Sequence, residues 1–216
     1  MTSAYNTIIP ECVSPSMEQV DSWDEFYRTN RRAWRGVTDI SDMGIEPGSD
    51  VLEVGCGNGK TLAALKGIGC NVIGVDFSEE AVISCRQLIP DVEVRHGDIL
   101  DLEFEDCSFD AVVLFHVLEH VLPEDMGKVA SEIGRVLRPG GRAYIRSFSV
   151  DDMRSEKGER ISEDMVIRGN GIRYRYYSES SLRDSFPEGV FETLRRVYEP
   201  TRFGTIRSRI EAIVRF

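Results

Sequence analysis

The sequence predicts an α/β fold in which helices cover both faces of a doubly wound, mostly parallel sheet that ends in an antiparallel hairpin. Short apolar segments alternate with helical patterns between residues 50 and 147, which is typical of βαβ units. A glycine-rich turn joins the first of these strands to the helix after it. Two adjacent strand-like segments end the chain. The length of 216 residues suits one such domain with a modest addition.

Periodicity and capping residues place the elements in order. A helix closed by Gly36 is predicted over residues 16–36, and residues 148–177 show no clear period. Strands are predicted at 50–54, 71–75, 92–95, 111–115, 142–147, 191–198 and 205–214, and helices at 60–68, 78–88, 123–137 and 178–186.

We divide the predicted single domain into four parts by these patterns. They are an N-terminal arm and lid helix (1–44), a cofactor-binding core (45–147), a substrate-side insertion (148–177) and a C-terminal helix and hairpin (178–216). Residues 1–15 are polar and predicted to be a loose arm. The helix after them is expected to be buried against the body; alternatively, its aromatic residues and Arg31, Arg32 or Arg35 cover a ligand.

Composition indicates a protein of a reducing compartment. The five cysteines form no C-x-x-C pair, no apolar run is long enough for a bilayer span, and residues 1–10 lack the pattern of a signal peptide. We therefore expect a cytoplasmic protein without a membrane span. The net charge of −11 makes tight nucleic-acid binding unfavourable, so we expect no nucleic-acid partner.

The charge is unevenly distributed along the chain. Residues 166–216 hold ten arginines, no lysine and six acids, a net charge of +4, which leaves −15 for the remainder. We expect this basic segment to be paired against the acidic body. The alternative is an arginine-lined pocket for an anionic acceptor.

The stretch Val51–Lys60 (VLEVGCGNGK) organises the chain, because a strand, a glycine turn and a helix start together form a nucleotide-binding layout. A Walker A loop is excluded, because its first glycine would fall on Val54. The dinucleotide fingerprint fits only in part, since its last glycine would fall on Lys60. The third pattern, acid-x-G-x-G-x-G beginning at Glu53, is complete.

Further motifs follow this stretch in order. The full set is Glu53-x-Gly55-x-Gly57-x-Gly59, Val75-Asp76-Phe77-Ser78, His96-Gly97-Asp98-Ile99, the run from Phe104 to Asp110, the run from His116 to Val121, and the run from Val136 to Gly141. Together these motifs resemble the class I S-adenosylmethionine-dependent methyltransferases, in particular the small ubiquinone/menaquinone-type (type 11) group that also includes tRNA-wobble-type enzymes. The match covers roughly residues 45–147.

The resemblance implies a Rossmann-like, seven-stranded sheet whose last strand is antiparallel, and S-adenosylmethionine as cofactor with S-adenosylhomocysteine as product. Asp76 also stands out from the sequence itself, because an acid 19 residues after Gly57 can accept hydrogen bonds from ribose hydroxyls. Asp98 and the Ile99 N–H would bind the adenine, Phe77 would pack on it, and Glu53 would orient the loop. The predicted cofactor-binding residues are Glu53, Gly55, Cys56, Gly57, Gly59, Asp76, Phe77, Asp98, Ile99 and His116.

His116 is the first candidate for a general base, which is needed only if the acceptor must lose a proton. His120, Glu119, Tyr176 and Tyr177 are the alternatives, and His116 could instead only shape the cofactor pocket. No metal is predicted, because the His116–His120 pair lacks a third ligand. The predicted substrate-contacting residues are Tyr27, Trp34 and Tyr176.

The sequence thus predicts a methyltransferase that acts on a small-molecule acceptor by in-line displacement. Three alternatives stay open: a tRNA-modifying enzyme of the same fold, a non-catalytic module that binds the cofactor or its product, and a dinucleotide oxidoreductase. The acceptor, the methylated atom and the oligomeric state are open as well.

Overall fold

The computed structural model describes residues 15–30, 36–201 and 203–216. Nearly all of the predicted arm, together with Arg31, Arg32, Trp34 and Arg35, lies outside the described residues. Within them, no helix is long and apolar enough to cross a membrane.

The described elements alternate between strand and helix up to residue 148 and become mainly strand afterwards. The helices are α1 (Pro15–Thr29), α2 (Lys60–Gly67), α3 (Glu79–Leu88), α4 (Met126–Val136) and α5 (Glu179–Asp184), with short 3-10 turns at Leu118–His120 and Pro123–Asp125. The strands are β1 (Asp50–Val54), β2 (Asn71–Asp76), β3 (Glu93–His96), β4 (Phe109–Phe115), β5 (Leu137–Phe148), β6 (Glu159–Arg160), β7 (Met165–Ile167), β8 (Arg173–Arg175), β9 (Val190–Pro200) and β10 (Ile206–Arg215).

Seven strands form one sheet in the order β3-β2-β1-β4-β5-β10-β9. The pairs from β3 to β5 are parallel, whereas β10 runs antiparallel to both β5 and β9. This confirms the predicted Rossmann-like sheet with its C-terminal antiparallel hairpin. The carboxyl ends of the five parallel strands therefore meet at one edge of the sheet. The order in which strands are added reverses between β1 and β4, which is the switch point of the sheet.

The main core lies where α4 and α5 pack against the sheet. Leu52, Val112 and Leu114 supply the sheet side, and Ile133 and Val136 supply the face of α4; each is at most 1% exposed. Burying aliphatic side chains of this size stabilises the fold by about 1.5–3 kcal/mol each. This packing gives the strand ends a rigid support.

The first helix is shorter than predicted. It ends at Thr29, seven residues before Gly36. The Thr29 hydroxyl donates to the Glu25 carbonyl, and the Asn30 side-chain amide donates to the Phe26 carbonyl. These side chains satisfy carbonyls of the last turn, so the helix can end without a glycine.

Helix α1 connects two parts of the molecule. The Asp24 carboxylate accepts a hydrogen bond of 2.6 Å from the Ser78 hydroxyl at the start of α3. The Gln19 side chain donates to the Gly171 carbonyl and accepts from the Arg173 N–H, at 3.0 and 2.8 Å. Helix α1 therefore bridges α3 and the segment just before β8.

Residues 148–177 contain structure that the sequence pattern does not show. Strands β6, β7 and β8 form a separate three-stranded antiparallel sheet. Strand β5 also begins five residues earlier than predicted, because Leu137 pairs with Phe109. The Gly140 N–H donates to the Phe216 carbonyl, and the Phe216 N–H donates to the Gly141 carbonyl. These hydrogen bonds hold the glycine turn against the end of the chain.

We expect Tyr177→Phe to lower the free energy of unfolding by about 1–2 kcal/mol, because the fully buried Tyr177 hydroxyl donates a 2.9 Å hydrogen bond to the Leu118 carbonyl. Urea denaturation measures this. Tyr198→Phe is the control, since Tyr198 is 54% exposed, and should change stability by less than about 0.5 kcal/mol. Equal losses in the two variants would contradict the assigned role of the Tyr177 hydroxyl.

Candidate functional site

A cavity of about 590 Å³ lies at the carboxyl ends of the parallel strands. Residues of α1 and of the segment around β8, including Trp23 and Tyr174, also line it. Ligands bind at this edge in open parallel sheets, and the volume is that of a small-molecule site. The strand topology and the cavity therefore indicate the same location for the site.

The glycine turn after β1 forms one wall. Gly55, Gly57 and Gly59 all have positive φ angles, of 66°, 54° and 81°. A Cβ atom at Gly55 would lie 2.5 Å from Val117 Cγ2, and one at Gly59 would lie 2.6 Å from Cys85 Sγ. Gly55 and Gly57 line the cavity, whereas Gly59 does not and serves the packing behind the loop.

Asp76, at the end of β2, fixes the glycine loop. Its carboxylate is buried and accepts hydrogen bonds from the N–H groups of Gly57, at 2.8 Å, and Ser78, at 3.0 Å. Burial raises the pKa of Asp76 to about 6, although the two hydrogen bonds oppose the shift. The group is therefore mostly ionised at neutral pH and can accept further hydrogen bonds from the cavity.

Glu53 lies at the floor of the cavity. Its buried carboxyl group accepts hydrogen bonds from the Thr61 hydroxyl and the Leu62 N–H, which hold the start of α2. Burial raises the pKa of Glu53 well above its usual value. Its Oε2 atom is buried and has no hydrogen-bond partner in the described part of the chain. An unpartnered polar atom beside a glycine loop fits a ligand with a polar end, as the expected cofactor has.

Phe77, Asp98 and Ile99 line the cavity on the side of β2 and β3. The His96 ring bonds through Nε2 to the Phe77 carbonyl at 3.0 Å. The Asp98 carboxylate accepts a 2.9 Å hydrogen bond from the Leu100 N–H. These bonds hold an aromatic ring and a carboxylate at the same wall, which suits a heterocycle with an exocyclic amine.

His116 follows β4 and forms a hydrogen-bonded pair with a buried carboxylate. Its Nδ1 atom lies 2.9 Å from Glu119 Oε1, which also accepts a 2.8 Å hydrogen bond from the Phe148 N–H. The Glu119 side chain is completely buried, whereas that of His116 is 39% exposed and lines the cavity. Because a carboxylate oxygen accepts, Nδ1 is the donor of this pair, and the other ring nitrogen, Nε2, takes no part in it.

The backbone of His116 has a φ angle of 60°, which is uncommon for a residue with a side chain. Its N–H donates a 2.7 Å hydrogen bond to the Arg146 carbonyl of β5. The surrounding structure thus holds His116 in a left-handed conformation, as is often found at functional sites.

His120 also lines the cavity but is held differently. Its Nδ1 donates to the Arg173 carbonyl at 2.8 Å, and its ring contacts Trp23 and Tyr174 with centroids 4.9 and 5.0 Å away. Burial lowers the pKa of His120. His120 is therefore a neutral member of an aromatic cluster.

The structure brings most of the predicted site residues to this cavity. Of the predicted cofactor-binding residues, all except Gly59 line it. Tyr27 lines it as well, whereas Tyr176 does not: its ring is buried and its hydroxyl donates to the Arg154 carbonyl at 2.9 Å. Trp34 lies outside the described residues. Of the alternative bases, Glu119 and Tyr177 do not line the cavity.

The sequence analysis missed several lining residues, namely Gln19, Arg146, Phe148, Arg154, Arg168, Tyr174 and Arg207. For the four that follow β5, the only sequence signal is the arginine- and tyrosine-rich composition of that segment; Gln19, Arg146 and Phe148 carry no such signal. No three histidine, cysteine, aspartate or glutamate side chains of the described ranges come together as metal ligands.

Comparison with known proteins relates the chain to methyltransferases. Residues 52–145 match the family described as a methyltransferase domain. A demethylmenaquinone methyltransferase of Clavibacter sepedonicus is 38% identical over 162 residues, covering 70% of this chain and 65% of the relative. A tRNA N(3)-cytidine methyltransferase of Danio rerio is 31% identical over 167 residues, covering 69% and 46%.

Solved structures show the same fold. The 1,6-didemethyltoxoflavin-N1-methyltransferase of Burkholderia thailandensis, crystallised with 1,6-didemethyltoxoflavin and S-adenosylhomocysteine, has a TM-score of 0.70 at 20% identity, covering 94% of this chain and 90% of that one. The chain spans less than two thirds of the length of the two curated relatives named above. The match over residues 52–145 shows that the chain contains a methyltransferase domain of the class I, S-adenosylmethionine-dependent type.

Proposed function

We propose that the chain transfers the methyl group of S-adenosylmethionine to a small-molecule acceptor by in-line displacement. One observation carries this proposal: the same cavity is lined by the glycine loop, Asp76, Asp98 and His116, whose ring bonds to the buried Glu119 behind it. A cofactor and an acceptor can therefore meet within it.

Each wall has a separate role in binding the cofactor. The backbone from Gly55 to Gly57 faces the methionine part, Asp76 accepts from the ribose hydroxyls, and Asp98 with the Ile99 N–H binds the adenine. The support is positional, because these residues all line the cavity and follow successive strands.

The sulfonium of the bound cofactor supplies an already activated methyl group. The protein then has to hold the acceptor atom in line and keep water away, and positioning of this kind lowers barriers substantially. His116 accepts the acceptor's proton at Nε2 where one must be lost. Glu119 orients the ring and stabilises its charged form from a fully buried position.

A small-molecule acceptor fits the covered cavity. Helix α1 contributes Gln19, Trp23 and Tyr27 to its lining, and the Gln19 side chain bonds α1 to the segment around β8. The menaquinone-type relative and the fold neighbour with a bound heterocycle both concern small molecules. The net charge of −11 also favours an acceptor other than a polynucleotide.

The tRNA methyltransferase relative makes RNA the second candidate. A filter-binding titration with total tRNA at two salt concentrations separates the two. Tight binding that weakens steeply with salt would replace the small-molecule proposal.

We expect Asp76→Ala and Gly57→Val to weaken S-adenosylhomocysteine binding by more than about tenfold. Asp76→Ala removes the hydrogen bond that shapes the loop, and Gly57→Val forces a side chain onto a positive φ angle. Calorimetric titration measures the affinity, with NADH and ATP as competing candidates. Asp91→Ala is the control, since the Asp91 side chain is 86% exposed at a distant surface. Wild-type protein that binds NADH but not S-adenosylhomocysteine would overturn the proposal.

The affinity for S-adenosylhomocysteine should depend on pH through Asp76. Because the ribose hydroxyls bond to the ionised carboxylate, binding favours the deprotonated form. The association constant should be constant above pH 7 and fall as the pH drops through about 6, by up to about tenfold per unit. Titrations between pH 5 and 8 measure this, and the fall should be absent in Asp76→Asn. An unchanged profile in that variant would assign the dependence to another group.

We expect His116→Ala to lower kcat by about a hundredfold or more on an acceptor that must lose a proton. Glu119→Gln should lower kcat by less, because its side chain can still bond to the His116 ring but no longer accepts from it through a carboxylate. Mass-spectrometric detection of the methylated product measures both. Normal turnover of His116→Ala at saturating cofactor would exclude His116 as the base.

A further inference from the structure

The acceptor side of the cavity is lined by arginines. All of them come from β5 or from the chain after it: Arg146, Arg154, Arg168, Arg173, Arg207 and Arg209. The cofactor-binding residues come from the chain before residue 117. Six arginines from the later part of the chain thus line one cavity of a protein whose net charge is −11.

Three of these arginines are neutralised within the protein. Arg154 forms two hydrogen bonds to the completely buried Asp152, of 2.6 and 3.0 Å. Arg146 and Arg209 both pair with Glu211, at 3.2 and 2.8 Å. Their charges hold the walls together and are not free for a ligand.

Arg168 is different. It forms no ion pair with a carboxylate of the described residues. Its guanidinium lies 3.8 Å from the centroid of the Tyr174 ring and donates to the Tyr176 hydroxyl, and its buried Nε has no hydrogen-bond partner among the described residues. A guanidinium without a counter-ion at a cavity wall is available to pair with an anionic ligand.

Arg207 adds a second cation to this wall and likewise has no ion pair within the described ranges. Desolvation and the neighbouring charge of Arg154 lower the pKa of Arg207, against the opposing effect of Asp152 and Glu199. An anion bound beside Arg207 would stabilise its charged form against desolvation and against the repulsion by Arg154.

Aromatic rings connect this wall to the candidate base. The Phe148 ring lies 4.5 Å from the His116 ring and 6.3 Å from the Tyr174 ring, onto which Arg168 packs. Arg168, Tyr174, Phe148 and His116 thus form a continuous series of packed groups, and all four line the cavity.

We propose that the methyl acceptor is a small aromatic acid whose carboxylate or phosphate binds Arg168, with Arg207 beside it, while its ring packs on the aromatic wall next to His116. This rests on the proposed function and names the substrate class of that site. The planar guanidinium suits either anion, because both accept two parallel hydrogen bonds from it.

The test measures the binding of small aromatic molecules to the full chain saturated with S-adenosylhomocysteine. Benzoate, phenyl phosphate and the neutral benzamide are titrated by ligand-observed NMR. We expect one of the two anions to bind about tenfold or more tightly than benzamide, and the tighter anion identifies the acid. Equal binding of benzamide, or no anion binding, would overturn the proposal.

Arg168→Gln and Arg207→Gln are compared with Arg183→Gln, an exposed arginine outside the cavity that packs on Phe191. We expect Arg168→Gln to weaken the anion by about tenfold and Arg207→Gln by less, with Arg183→Gln unchanged. All three should bind S-adenosylhomocysteine like the wild type. Unaltered anion binding in Arg168→Gln would overturn the anion site alone, whereas failure of the wild type to bind S-adenosylhomocysteine would overturn the proposed function.

An RNA acceptor gives a different result. If tRNA displaces the anion with an affinity that falls steeply with salt and is reduced in Arg168→Gln, the arginine wall binds a phosphate backbone and the aromatic-acid proposal is wrong.

Discussion

The buried carboxylate of Asp76 is the constraint on which the cofactor side depends. It is the last residue of β2, yet its two hydrogen bonds go to the loop after β1 and to the start of α3. Ser78 in turn caps α3 and bonds to Asp24 of α1. One side chain thus fixes the glycine loop and, through Ser78, the helix that covers the cavity. Burial opposes its charge, so the arrangement is held by donors that the backbone supplies.

Glu119 has the corresponding place on the acceptor side. A single oxygen accepts from the His116 ring and from the Phe148 N–H, so it joins the end of β4 to the end of β5. The candidate base and the aromatic ring beside it therefore keep a fixed relation. An unpaired buried carboxylate would be strongly unfavourable, and these two donors are what make its position tenable.

The sequence predicts the core better than its surroundings, for physical reasons. Strand β1 and the Ser78 cap of α3 are found as predicted because their signals are local: an apolar run and a serine before an acidic turn. The predicted end of α1 is wrong, because the side chains of Thr29 and Asn30 bond to the last carbonyls of the helix and no glycine is needed there. Strands β6 to β8 have two or three residues each, too few for a periodic pattern. Their pairing depends on contacts that only the folded chain brings together.

The site residues also fall into those that the sequence predicts and those that depend on tertiary contacts. The glycines, Asp76, Asp98 and His116 follow strand ends, so their approach to one edge follows from the topology. The prediction that the basic segment is paired against acids describes Arg195 and Arg209 but not Arg168, because ion pairing depends on tertiary position. Phe148, Arg168 and Arg207 also lie beyond the 52–145 range that matches the family. The family match therefore specifies the cofactor, whereas the proposed acceptor site depends on residues that only the folded chain brings to the cavity.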